Sequence, residues 1–84
     1  MKTSFLSLHD FENRVFFGTA FNSYICSVEQ NSNALDFKSA SIDAANENLY
    51  HITYDNLITK KTLKYEVLVD PKKRTYIITK KSDN

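Results

Sequence analysis

The clearest order in this chain is the alternation of apolar and polar positions in its second half. Tyr50, Ile52 and Tyr54 alternate with His51, Thr53 and Asp55, and Leu63, Tyr65, Val67 and Val69 alternate with Thr62, Lys64, Glu66 and Leu68. A period of two places one set on a buried face and the other towards solvent, which predicts strands. The last run, Arg74 to Lys81, sets Tyr76 and Ile78 on one face and Thr75, Ile77 and Thr79 on the other. A turn near Asn56 to Lys60 separates the first two runs. Asp70-Pro71-Lys72-Lys73 separates the last two and suits a type I turn, because proline fixes φ at the second position.

Ahead of these runs the pattern predicts a first hairpin and a helix. Tyr24, Cys26 and Val28 alternate with Ser23, Ile25 and Ser27; beyond the polar turn Gln30-Asn31-Ser32-Asn33, Leu35 and Phe37 alternate with Asp36 and Lys38. Ser41 then has the chemistry of a helix N-cap, with Asp43 in the first turn and Ile42, Ala45 and Leu49 on one face of a helix over 41–49. The first twenty residues admit two readings. Ser7-Leu8-His9-Asp10 resembles a capping box opening a helix that shares Leu8, Phe11 and Val15 on one face and ends at Gly18. Alternatively, Val15-Phe16-Phe17 begins a strand reaching Phe21, with Gly18 at a bulge. The helix is the favoured of the two. The expected architecture is α+β: a single antiparallel sheet of about five strands packed against one short helix. It forms one domain over 1–84, with a ββαβββ core at 20–81, an extension at 1–19 and a tail at 82–84.

Composition narrows the class. A chain of 84 residues has room for one core, and six Phe and five Tyr supply large apolar side chains for it. Cys26 is the only cysteine, so no internal disulfide and no cysteine-based metal site can form from this chain. That points to a reducing compartment, most simply the cytoplasm. The apolar start Met1 to Leu8 stops at His9-Asp10, too early for a secretory h-region, and no run approaches the ~18 apolar residues of a membrane span.

The net charge of +1 hides a division. Residues 1–58 carry −4, whereas residues 59–84 carry eight of the eleven basic side chains and a balance of +5. Such asymmetry points to a polar partner. Lysines on an edge hairpin also discourage aggregation, which is the plainer explanation.

Candidate chemistry is sparse. His9 lies near Asp10 and Glu12, and His51 four residues before Asp55, a spacing of roughly 13 Å along a strand and too long for shared metal ligation. Cys26, alternating with Tyr24 and Val28, reads as a small core side chain rather than a nucleophile. A single glycine excludes a Gly-rich phosphate loop. Neither an enzyme nor a cofactor or metal is expected. The basic hairpin remains: Lys60, Lys61 and Lys64 along one side, Lys72, Lys73 and Arg74 at its tip, Lys80 and Lys81 at its end. Tyr54, Tyr65 and Tyr76 are near in sequence, but their period places them on the core face, as packing residues rather than as stacking platforms for bases.

One segment carries a family resemblance. Leu35-Asp36-Phe37-Lys38-Ser39-Ala40-Ser41-Ile42-Asp43-Ala44-Ala45 reads as a strand running through Ala-Ser into a helix. This resembles small phage-encoded anti-CRISPR proteins that inhibit type I-F surveillance complexes and have a strand–strand–helix–three-strand order. The resemblance covers residues 20–81. It implies a stoichiometric inhibitor acting in the host cytoplasm on a nucleoprotein complex, keeping target DNA from pairing with the guide. By position, Lys60, Lys61, Lys64, Lys72, Lys73, Arg74 and Lys80 are the expected partner- or nucleic-acid-binding residues. The acidic first half offers the opposite option, a DNA mimic. Two other classes stay open: a small nucleic-acid-binding module and a self-associating structural domain, so that both monomer and homodimer are admitted.

Overall fold

The computed structural model describes residues 4–15, 21–29 and 34–83. Five strands and two helices follow one another as β1 (Ser4–Leu6), α1 (Leu8–Val15), α2 (Phe21–Glu29), β2 (Leu35–Ile42), β3 (Leu49–Asn56), β4 (Lys61–Asp70) and β5 (Thr75–Asp83). The strands form one antiparallel sheet whose spatial order is its sequence order, β1-β2-β3-β4-β5. The α+β class and the three strands after residue 49 agree with the sequence pattern.

Two expected elements are replaced. Residues 21–29 are helix α2 rather than the first strand of a hairpin. Phe21 and Ile25, one helical turn apart, enter the core, while Tyr24 and Val28, expected inside, are exposed. The expected helix over 41–49 is absent: β2 runs on through Ser41 and Ile42, and the chain then turns at 43–48. Asp43 makes that turn by accepting the backbone N–H groups of Ala45 (2.9 Å) and Asn46 (3.0 Å) through Oδ2. The ββαβββ core at 20–81 is thereby corrected to two helices ahead of a four-strand meander, with β1 at the far edge. Residues 4–6 belong to the sheet rather than to an extension, and β5 reaches into the expected tail at Asp83.

The amino-terminal helix forms as its cap predicts, with the Asp10 N–H donating to Ser7 Oγ at 3.1 Å. The Gly18 terminus and the turn at Gln30–Asn33 lie outside the described residues.

Both helices lie on one face of the sheet and close the core. Phe11 of α1 meets Phe21 edge to face at 5.0 Å and Tyr50 at 5.8 Å between ring centres. Tyr54 contacts Phe21 (6.4 Å) and Phe37 (5.7 Å). Ala40, Ile52, Leu63, Tyr65 and Val67 complete the buried set. A bulge at Lys38 explains a phase change in β2: Leu35 and Phe37 face the core before it, Ala40 and Ile42 after it.

Polar groups orient α2 on this apolar layer. The Glu12 carboxylate accepts the Asn22 N–H at 2.9 Å, satisfying an amide of the helix's first turn from outside the helix. Asn22 Oδ1 in turn accepts the Tyr54 hydroxyl at 2.8 Å. Burial pushes the Tyr54 hydroxyl well above its ordinary pKa, and the nearby acidic groups of Cys26 and Glu12 add to the effect. At the other end of α2, Glu29 accepts from the Tyr65 hydroxyl and from Lys80 Nζ at 3.0 and 3.3 Å.

Candidate functional site

The opposite face of the sheet carries no described helix. Along its rows stand Phe5, Ser41, His51, Glu66 and Thr79, then Ser39, Thr53 and Lys64, as the strand register sets them. A charged chain crosses it. His51 Nε2 lies 2.8 Å from Asp43 Oδ1, His51 Nδ1 3.5 Å from Glu66 Oε2, and Lys81 Nζ 3.9 Å from Glu66 Oε1. His51 and Asp55 are as far apart as their spacing along the strand requires; the register sets His51 opposite Glu66, and the 43–48 turn brings Asp43 back over it. Asp55 pairs with Lys38 at 3.3 Å and accepts from Thr62 Oγ1 at 3.2 Å.

Among the described residues no group of three or more His, Cys, Asp and Glu side chains is placed to hold a metal. His9 Nε2 meets Asn13 Nδ2 at 2.9 Å within α1. Cys26 is half-buried on the flank of α2, with Asn22 Nδ2 3.9 Å from its sulfur, rather than on the inward face of a strand. No described helix is long and apolar enough to cross a membrane.

The seven expected binding residues do not form one patch. Lys60 and Lys61 sit where β4 begins, and Lys64 follows on the open face. Lys72, Lys73 and Arg74 occupy the turn beyond Asp70. Strand β4 separates the two groups by nine steps of about 3.3 Å, or roughly 30 Å. Lys80 is on the helix-covered side, held by Glu29. It lies across the sheet from Lys64, so the two cannot face one flat partner together.

The tip is the denser cluster. Asp70 Oδ1 accepts the backbone N–H groups of Lys72 (3.1 Å) and Lys73 (3.2 Å), an Asx turn. Arg74 closes the loop with a left-handed backbone, φ 55°. Lys72, Lys73 and Arg74 are all exposed, and no ion pair among the described residues engages Lys72 or Lys73.

Behind the tip lies an open groove of about 420 Å³ between the 43–48 turn and the β4–β5 ends, walled by Leu68, Val69, Tyr76 and Ile77 with Asn46 and Lys73 at its rim. Its volume is in the range of small binding clefts, roughly 300–1,000 Å³. Tyr54 and Tyr65, by contrast, are buried and unavailable for stacking. Ile77 is 65% exposed; its contribution was hidden in the sequence because an apolar residue on a solvent-facing position looks like ordinary strand composition.

Comparison of the chain with protein-family models, with curated proteins and with solved structures finds no match, so the functional reading rests on this surface.

Proposed function

We propose that this is a small non-enzymatic binding protein that engages an anionic partner through the tip of its β4–β5 hairpin. The observation that carries the reading is the run Lys72, Lys73 and Arg74, displayed on a turn whose own carboxylate is occupied by backbone amides. Neighbouring exposed cations on one turn repel one another, and Lys72 and Lys73 enter no ion pair among the described residues. An anionic partner removes that repulsion. The apolar groove wall beside them adds area that a purely electrostatic contact lacks.

The specific form implied by the anti-CRISPR resemblance is inhibition of a type I-F surveillance complex in the host cytoplasm. Its motif now has a different physical content, since residues 35–45 form a strand and a turn. The reading therefore stands on the hairpin's charge alone. Such a complex presents both nucleic-acid backbone and protein surface, and either meets the tip's chemistry.

The test uses a purified type I-F surveillance complex and a labelled target duplex. The expected result is stoichiometric loss of target binding with the wild-type protein and its recovery with Lys72→Glu/Lys73→Glu/Arg74→Glu. Undiminished target binding would remove the CRISPR reading. Direct, steeply salt-dependent binding of bare DNA by the same tip would replace it with the simpler nucleic-acid module.

A further inference from the structure

Strand β5 is an edge. Among the described residues it pairs only with β4, and at the far side of the sheet β1 offers just three residues. An edge strand presents a row of backbone N–H and C=O groups ready to pair with another chain, and folded proteins usually blunt it with charge, proline or brevity. Here the stretch Thr75-Tyr76-Ile77-Ile78-Thr79 has none of these protections. It is uncharged, rich in β-formers, and Ile77 stands largely in solvent. The charges sit at its two ends: Lys72, Lys73 and Arg74 before it, Lys80 and Lys81 after it.

That placement discriminates between occupants. A second copy pairing about a two-fold axis at Ile77 would match Thr75 with Thr79 and Tyr76 with Ile78. It would also set Arg74 against Lys80 and Lys73 against Lys81, cation facing cation, which destabilises a cross-strand pair. Moving the axis to Thr79 sets Ile77 against Lys81 and Ile78 against Lys80, apolar against charged. Neither register satisfies both the centre and the ends of β5, and the one centred on Ile78 pairs Lys73 with Asp83 but sets Tyr76 against Lys80 and Thr75 against Lys81. A strand with an apolar, β-branched centre and acidic ends satisfies both.

We infer that β5 accepts an extended acidic segment of a partner protein as a sixth strand of the sheet, with carboxylates flanking an uncharged stretch of five residues. This rests on the reading of the hairpin as the binding surface and names the partner element that it holds. Backbone pairing along Thr75–Thr79 supplies affinity independent of sequence, and the flanking charges supply selectivity. Lys80 and Lys81 already meet Glu29 and Glu66, whereas no ion pair among the described residues engages Lys73, so the stronger end is the one at Lys73.

The experiment is amide hydrogen exchange by NMR on the whole chain, with saturating synthetic nonapeptide Asp-Glu-Thr-Val-Ile-Val-Thr-Glu-Asp. A control peptide has lysine at all four acidic positions. The expected result is at least about tenfold slower exchange at β5 amides with the acidic peptide only, and a preference reversed by Lys73→Glu/Arg74→Glu. Equal effects of both peptides, or no change along β5, would overturn the inference. Bare single-stranded DNA shifting the tip resonances without protecting β5 would overturn it too, yet leave the hairpin as a binding surface. Loss of that wider reading would show differently, as partner binding indifferent to charge reversal at the tip.

Discussion

The turns 57–60 and 71–74 are built alike and carry opposite chemistry. Each is a four-residue loop closed by a cross-strand pair, Asn56 with Lys61 and Asp70 with Thr75. In each, a side-chain oxygen at the start accepts two backbone amides: Asn56 Oδ1 takes those of Ile58 (3.0 Å) and Thr59 (3.1 Å), as Asp70 takes those of Lys72 and Lys73. In each, a cationic residue at the end adopts left-handed φ, 64° at Lys60 and 55° at Arg74. Between those points the first turn carries Leu57 and Ile58, the second Lys72 and Lys73. The first is also anchored, with the Leu57 N–H donating to Ala34 O at 2.7 Å and Asn56 itself buried. Identical backbone devices tolerate apolar and cationic side chains equally. The cation cluster on the second turn is therefore not a requirement of folding, and that makes it informative about binding.

The largest effect should come from reversing that cluster. Lys72→Glu/Lys73→Glu/Arg74→Glu is expected to weaken partner binding by about 3 kcal/mol, roughly a hundredfold, while thermal stability stays near wild type. Lys60→Glu/Lys61→Glu, at the end of the matching turn and the first residue of β4, should leave binding within a few-fold. Titration of both variants against one partner checks the contrast; equal losses would mean that total charge matters and the tip does not.

Stability should show the opposite ranking. Asn56→Ala removes a buried acceptor from two amides and should cost about 2 kcal/mol. Asp70→Ala removes an exposed one and should cost about 0.5–1 kcal/mol, because water replaces it. Urea denaturation of the two variants measures the difference, and comparable losses would show that the first turn's anchoring contributes little.

These turns were legible because Asn, Asp and Pro announce them in a chain with a single glycine. The β3, β4 and β5 strands were legible for the same local reason, uninterrupted alternation. Helix α2 was not. Phe21-Asn22-Ser23-Tyr24-Ile25-Cys26-Ser27-Val28-Glu29 satisfies both periods, and what selects the helix is remote: Glu12 at its start, Tyr54 and Tyr65 beneath it. The false helix at 41–49 has a different cause. Asp43 accepting amides two and three residues on is the same chemistry as a helix cap, and only the following residues decide between turn and helix. The bulge at Lys38 hid the continuation of β2 to Ile42 by shifting its phase. At the candidate site, the sequence located the basic residues but not their separation, since the ten-residue strand β4 sets two groups at its opposite ends and Lys80 falls on the other face of the sheet.

Glycine at the two left-handed positions sharpens the comparison further. Relief of non-glycine strain, about 1–2 kcal/mol, exceeds the added freedom of the unfolded chain, so Lys60→Gly and Arg74→Gly should each stabilise by about 0.5 kcal/mol. Their binding should diverge: unchanged for Lys60→Gly, weakened roughly fivefold for Arg74→Gly through loss of one tip cation. A destabilised glycine variant at either position would show that the side chain contributes more to the fold than its backbone strain removes.

The smallest effect concerns the third turn, 43–48, which uses the same acceptor device with an added histidine. The hydrogen bond from His51 is the main cause holding the Asp43 carboxyl below its ordinary 3.8, with the Ala45 amide next. A lowered folded-state pKa contributes stability that is present above 3.8 and lost as pH falls through the folded value. Asp43→Asn keeps an oxygen for the Ala45 and Asn46 amides and removes the acidic limb. Wild type should therefore be the more stable above about pH 4, and the two should converge as acid protonates Asp43. Thermal melts from about pH 6 down to pH 2 follow the approach. Parallel curves that never converge would assign the loss to turn geometry instead of charge, making 43–48 a turn like 57–60, held by its acceptor alone.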